Sequence, residues 1–272
     1  MSESPQRRRR VRRIVLGGVL LIHAVVYWLV VFKLQYFGEL RRVIAVGVVL
    51  GQCSLVVILS TTVREVKSVR IAMPWMAAFA SWYGISQIFY WGLGEAGATW
   101  WAIAITVQTI VCIAGAKVLE QHWKQAKIAV DVGAKTETSP LQFPIRSLIL
   151  LTTMAAIGFS VIDFGRRRGW WLTDSLEVKE CVMMVAVGLM VGLTALMGVF
   201  ASASRKRLVV AKRLAVLVVS VPLLGFALHA GAVWAGLDGA SESMPVIVFL
   251  VAHVTCATVT WVILDRLPGR LA

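Results

Sequence analysis

The stretch VIAVGVVLGQCSLVVILSTT, residues Val43–Thr62, runs for twenty residues without a charge. A helix rises about 1.5 Å per residue, so this length covers the roughly 30 Å of a bilayer's hydrocarbon core. The flanks agree with a membrane span. Arg41 and Arg42 stand before it, and Arg64, Lys67 and Arg70 follow. Within it, Gly47 and Gly51 form a GxxxG pair, the spacing that lets two helix backbones approach closely.

Outward from this stretch, similar apolar runs fall at about 14–33, 71–91, 98–117, 147–164, 181–203, 214–235 and 245–264. The sequence therefore predicts an all-α, polytopic transmembrane bundle of about eight helices. With 58% hydrophobic and 15% charged residues in 272, little length remains for a water-soluble domain. The expected organisation is a basic N-terminal tail (1–13), a first four-helix half (14–117), a linker (118–146), a second four-helix half (147–264) and a C-terminal tail (265–272). The linker ends in AKTETSPLQFP, a composition suited to a flexible connection. The first apolar run meets no small-residue cleavage site and reads as an uncleaved signal anchor.

The formal charge is +14. Nucleic acid is excluded as a partner, because the basic residues sit between apolar runs and not on a water-exposed domain. They are placed to set orientation and to attract anionic lipid. With the N-terminus inside, the cytoplasmic segments hold 21 Lys and Arg and the external ones seven. The positive-inside rule then puts both termini in the cytoplasm of a cell membrane, and the compact loops and arginine bias point to a bacterial inner membrane.

The two halves resemble each other. Gly188 and Gly192 repeat the GxxxG pair 141 residues after Gly47 and Gly51, and each pair precedes a basic loop. Trp91-Gly92-Leu93 and Ala235-Gly236-Leu237 end the third and seventh runs, 144 residues apart. Four crossings restore the starting side, so the expectation is a 4+4 parallel internal repeat about an axis along the membrane normal.

Residues that could carry chemistry are few. No Walker loop, GxSxG or HExxH motif occurs, no lysine lies at a helix centre, and no catalytic residue is assigned. The four cysteines, Cys53, Cys112, Cys181 and Cys256, form no CxxC pair and read as buried thiols. Asp163 is followed at i+3 and i+4 by Arg166 and Arg167, the spacing of a local ion pair. The candidate intramembrane polar site is His23, Gln52, Gln108, His229 and His253. Imidazole and amide groups are costly in hydrocarbon without partners, so these five should face the bundle interior. One haem or metal ion could use His23 with His253, or His229 with His253, since counting from the basic flanks puts each pair at a similar depth in the bilayer.

Three function classes follow. The leading one is a non-enzymatic, permease-like module for a neutral or weakly polar solute. The alternatives are an accessory or sensor subunit that binds a protein partner or forms an oligomer, and a haem or metal carrier. Without buried acids, ion-coupled pumping lacks its usual machinery.

Overall fold

The computed structural model describes residues 5–33, 38–62, 67–90, 96–132, 178–202, 207–236 and 243–265. Among them are seven helices and no strand: α1 (Pro5–Phe32), α2 (Glu39–Thr62), α3 (Lys67–Phe89), α4 (Ala96–Val132), α5 (Val178–Ser202), α6 (Arg207–Ala235) and α7 (Ser243–Asp265). Five are long and apolar enough to cross a membrane: α2, the Gly97–Gln121 part of α4, α5, and nearly all of α6 and α7. The chain is thus a multi-pass helical membrane protein. The expected helix over 147–164 lies outside the described residues.

The exterior is apolar, as lipid requires. Leu21, Ile71, Leu208, Val218 and Trp234 are all exposed, whereas Gln108, Ser54 and His253 are buried. This is the reverse of the soluble pattern, in which exposed apolar patches of such extent mark an interface.

Helix ends follow local chemistry. Pro5 opens α1, where its missing N–H costs nothing. The α6 helix stops at Gly236, whose φ of +71° is the left-handed cap conformation, with its N–H on the Val233 carbonyl at 3.1 Å. The α4 helix overruns the expected end at residue 117 by fifteen residues. No glycine or proline intervenes between Lys117 and Val132, and Gly133 follows. The first half of the expected linker is therefore helix, continued by Lys, Leu, Glu, Gln and Ala, which favour it.

Two close helix pairs organise the bundle. Gly47 and Gly51 of α2 lie on α7: a Cβ at Gly47 would meet Ala252, and one at Gly51 would stand 2.8 Å from the His253 carbonyl and from Cys256 Cβ. Gly188 and Gly192 of α5 lie on α4 in the same manner, against Ala104 and Val107 and against Val111 and the Gln108 carbonyl. In both pairs the residue numbers rise together, so the paired helices run parallel. The α3 helix packs on α2 and α4, α6 packs on α5 and α7, and α1 leans on α2 and α3.

At one end of the bundle, two arginines hold the last turns of α2 and α5. Arg70, near the start of α3, donates from Nη2 to the Thr61 carbonyl at 2.7 Å and lies 4.0 Å from Glu120. Arg213, near the start of α6, donates from Nη1 to the Phe200 carbonyl at 3.1 Å and stacks on the Phe200 ring. A guanidinium at a helix C-terminus satisfies free carbonyls and opposes the negative end of the helix dipole.

Candidate functional site

A polar cluster lies where α2, α4 and α7 meet. Its centre is Ser54, fully buried on α2. Gln108 of α4 donates one N–H to Ser54 Oγ at 2.7 Å and the other to the Leu50 carbonyl at 2.9 Å, so both of its amide protons are used. On the other side of Ser54, His253 Nε2 of α7 lies 3.3 Å from the same hydroxyl. Two thiols adjoin the cluster. Cys112 sits beside Ser54 and directs its sulfur toward the Gly192 carbonyl, while Cys53 sits against Ser81 and Thr109.

The close approach of the helices explains why these groups meet. The α7 backbone comes near enough to α2 for His253 to reach Ser54 only because Gly51 has no side chain facing the His253 carbonyl. Polar side chains buried among helices then bond to one another or to backbone, since no water is at hand. Several buried atoms among the described residues escape this rule, His23 Nδ1, Thr109 Oγ1 and His229 Nδ1 among them; within the hydrogen-bonded cluster the exception is His253 Nδ1, and His253 as a whole has 0% exposure.

The five residues singled out in the sequence have different fates. Gln108 and His253 are brought together through Ser54. Gln52 is buried but turned toward α1, donating to the His23 carbonyl at 3.2 Å. His23 is half-buried on α1, its Nε2 3.1 Å from Thr260 Oγ1 on α7. His229 on α6 is half-buried, and its Nδ1 has no partner.

The histidines stand at three levels. Thr260, the partner of His23, is seven residues along α7 from His253, a rise of about 10 Å. On the neighbouring α6, Gly225 faces Ile247, which takes His229 toward the start of α7, some 15 Å from His253. A haem or metal held by two of these rings needs them at one level, and they are not. Among the described residues no group of three or more His, Cys, Asp or Glu could hold a metal ion.

Sequence reasoning missed Ser54, the residue through which the cluster is connected. Serine is common in membrane helices, and nothing in its spacing separates Ser54 from Ser60 or Ser81. Elsewhere, a cleft of about 190 Å³ between α3 and α4 is lined by Trp75, Phe79, Trp82, Ile105 and Thr106, and no ionisable side chain faces it. No known protein family, curated protein or solved structure matches the chain.

Proposed function

We propose that the chain is a permease-like module of eight crossings, built as two related four-helix halves, with its solute site at the Ser54, Gln108 and His253 cluster. Both termini lie in the cytoplasm of a bacterial inner membrane, where the basic loops meet anionic lipid. The observation that carries this reading is a polar cluster in the bundle interior at the junction of the two halves, the location that parallel-repeat transporters use for their substrates.

The relation between the halves rests on an exchange of α2 with α5, α3 with α6 and α4 with α7. Under it, every extensive contact among these six helices maps onto another such contact. The glycine pairs supply the register. The residues that meet Gly47 and Gly51, namely Phe249, Ala252, His253 and Cys256, lie 145 positions after those that meet Gly188 and Gly192, namely Ala104, Val107, Gln108 and Val111. Agreement within each set follows from GxxxG packing alone. The choice of partner helix does not, nor does the presence of a buried polar side chain, Gln108 or His253, at the same place in each set. Arg70 and Arg213 are counterparts as well, each clamping the helix before it.

A fifth crossing follows from direction. Because α4 and α5 run parallel, the chain between them must come back to the side on which α4 begins, and the sequence expects a helix at 147–164, outside the described residues.

A permease must open a water path to its site, and two native thiols report on that path. Cys53 and Cys112 are both buried at the cluster. In sealed vesicles a charged, membrane-impermeant methanethiosulfonate reagent should modify Cys112, as read by peptide mass spectrometry. If Cys112 stays unmodified in the native protein yet reacts after denaturation, no such path exists. The accessory-subunit reading then takes its place.

A further inference from the structure

Under the exchange of halves, His253 and Gln108 occupy equivalent positions, but their hydrogen bonding is not equivalent. Gln108 has spent both amide protons inside the protein, on Leu50 and Ser54. His253 has spent one ring nitrogen on Ser54 and left Nδ1 with nothing. The bridging hydroxyl is likewise one-sided, because the residue 141 positions after Ser54 is Ala195, which is buried and carries no polar group. At these two equivalent positions Gln108 has no amide proton left over and His253 has a spare valence.

We infer that His253 Nδ1 is the anchoring atom for a small, uncharged solute bearing a hydroxyl or an amide. This rests on the permease reading, which provides the opening through which the solute enters. Two considerations set the chemical class.

The first is charge. Ser54, Gln108 and Cys112, the side chains at the cluster, carry no formal charge, so an ion that came up the water path would find no counter-charge there to hold it. The second is proton accounting. Ser54 Oγ accepts from Gln108, so the remaining Ser54–His253 contact runs in one of two directions. If Ser54 donates to Nε2, the imidazole proton sits on Nδ1 and seeks an acceptor. If Nε2 donates to Ser54, Nδ1 offers a lone pair and seeks a donor. A hydroxyl or a primary amide satisfies either case, since each both donates and accepts.

The contrast between the halves also supplies the test. His253→Gln installs the residue that already sits in the equivalent position, and so should fold, but its second N–H can be absorbed by a backbone carbonyl, as that of Gln108 is. The experiment is protection of Cys112 from the methanethiosulfonate reagent in the native full-length protein. Acetamide and ethylene glycol are the probes, with acetate and ethylammonium as charged molecules of similar size.

The expected result is modification of Cys112 slowed roughly tenfold by saturating acetamide or ethylene glycol, unaffected by acetate or ethylammonium, and unprotected by any of them in His253→Gln. Modification with no protection by the neutral probes overturns the solute class and leaves the permease reading standing, as does protection by the ions. Protection that survives in His253→Gln overturns the anchor alone. Absence of modification in every state overturns both. Should His253→Gln fail to fold, the ring nitrogen resonances of ¹⁵N-labelled His253 in the native protein decide the matter. They shift with acetamide and not with acetate if Nδ1 is the anchor, and stay fixed if it is not.

Discussion

At the scale of single residues, Ser54 should matter more than any histidine to the stability of the bundle. Its hydroxyl is the shared partner of Gln108 and His253, all three fully or almost fully buried. Ser54→Ala strands one Gln108 N–H and the His253 Nε2 together, and a buried polar group without a partner costs about 1–3 kcal/mol. Thr260→Ala removes one contact of a half-buried His23, worth about 0.6 kcal/mol, the average for an interhelical hydrogen bond in a membrane protein. Thermal unfolding in detergent should therefore rank Ser54→Ala as the more destabilising change; equal melting temperatures would mean that the cluster is not held through Ser54. The sequence points to Gln108 and His253 because polar groups are rare in apolar helices. It does not point to Ser54, since a hydroxyl can bond within its own helix, as Ser60, Thr61 and Thr62 do here. Nor does it separate Gln108 from Gln52, because the direction in which each amide faces depends on how the helices are rotated against their neighbours.

At the scale of the helix, the four paired glycines make contacts that no other residue permits. A Cβ at Gly51 would stand 2.8 Å from the His253 carbonyl, and one at Gly192 would stand 2.8 Å from Val111 Cγ1. The carbonyl is backbone and cannot turn aside, and Val111 Cβ, 2.9 Å from the same point at Gly192, is fixed to its own helix. Gly51→Ala and Gly192→Ala should each cost about 1–3 kcal/mol. A Cβ at Gly17 on α1 would meet nothing within 4 Å, which makes this position the control, since alanine there is neutral or helps the helix by up to about 1 kcal/mol. Melting curves of the three variants check the order. Spans were the most legible feature of the sequence, since length and apolarity are set by the bilayer itself, and five of the expected stretches are long apolar helices in the structure. The end of α4 was not legible from hydropathy, because a helix leaving the membrane keeps its backbone bonds while its side chains turn polar. The partners of the GxxxG pairs were not legible either. The motif says that a backbone comes close, and only the fold says that α2 meets α7 and α5 meets α4.

At the scale of the whole molecule, the proposed equivalence of the halves has a consequence that a chance likeness would not share. In the intact chain α2 of the first half pairs with α7 of the second, and α4 of the first with α5 of the second. If α7 is the counterpart of α4, and α5 of α2, then a first half on its own carries both members of each pair, in a form that can be satisfied only by a second copy. A fragment ending at Thr138 holds α1 to α4 and keeps Gly47, Gly51, Gln108 and Ser54. It should form a homodimer in which α2 of each copy lies on α4 of the other, with two Gln108 side chains and two Ser54 hydroxyls around the two-fold axis. Such a contact is isologous and closes, so association should stop at two. Leaving Gly47 and Gly51 open to lipid forfeits the close van der Waals contact that holds membrane helices together, and this is the drive to dimerise. Co-expression with the fragment 139–272 should convert the homodimer into a one-to-one complex with the native pairing. Cross-linking in membranes followed by mass measurement reads both outcomes. A first-half fragment that stays monomeric, or that dimerises equally well as Gly51→Leu, would show that the two glycine pairs are alike in spacing alone and that the halves are not equivalent.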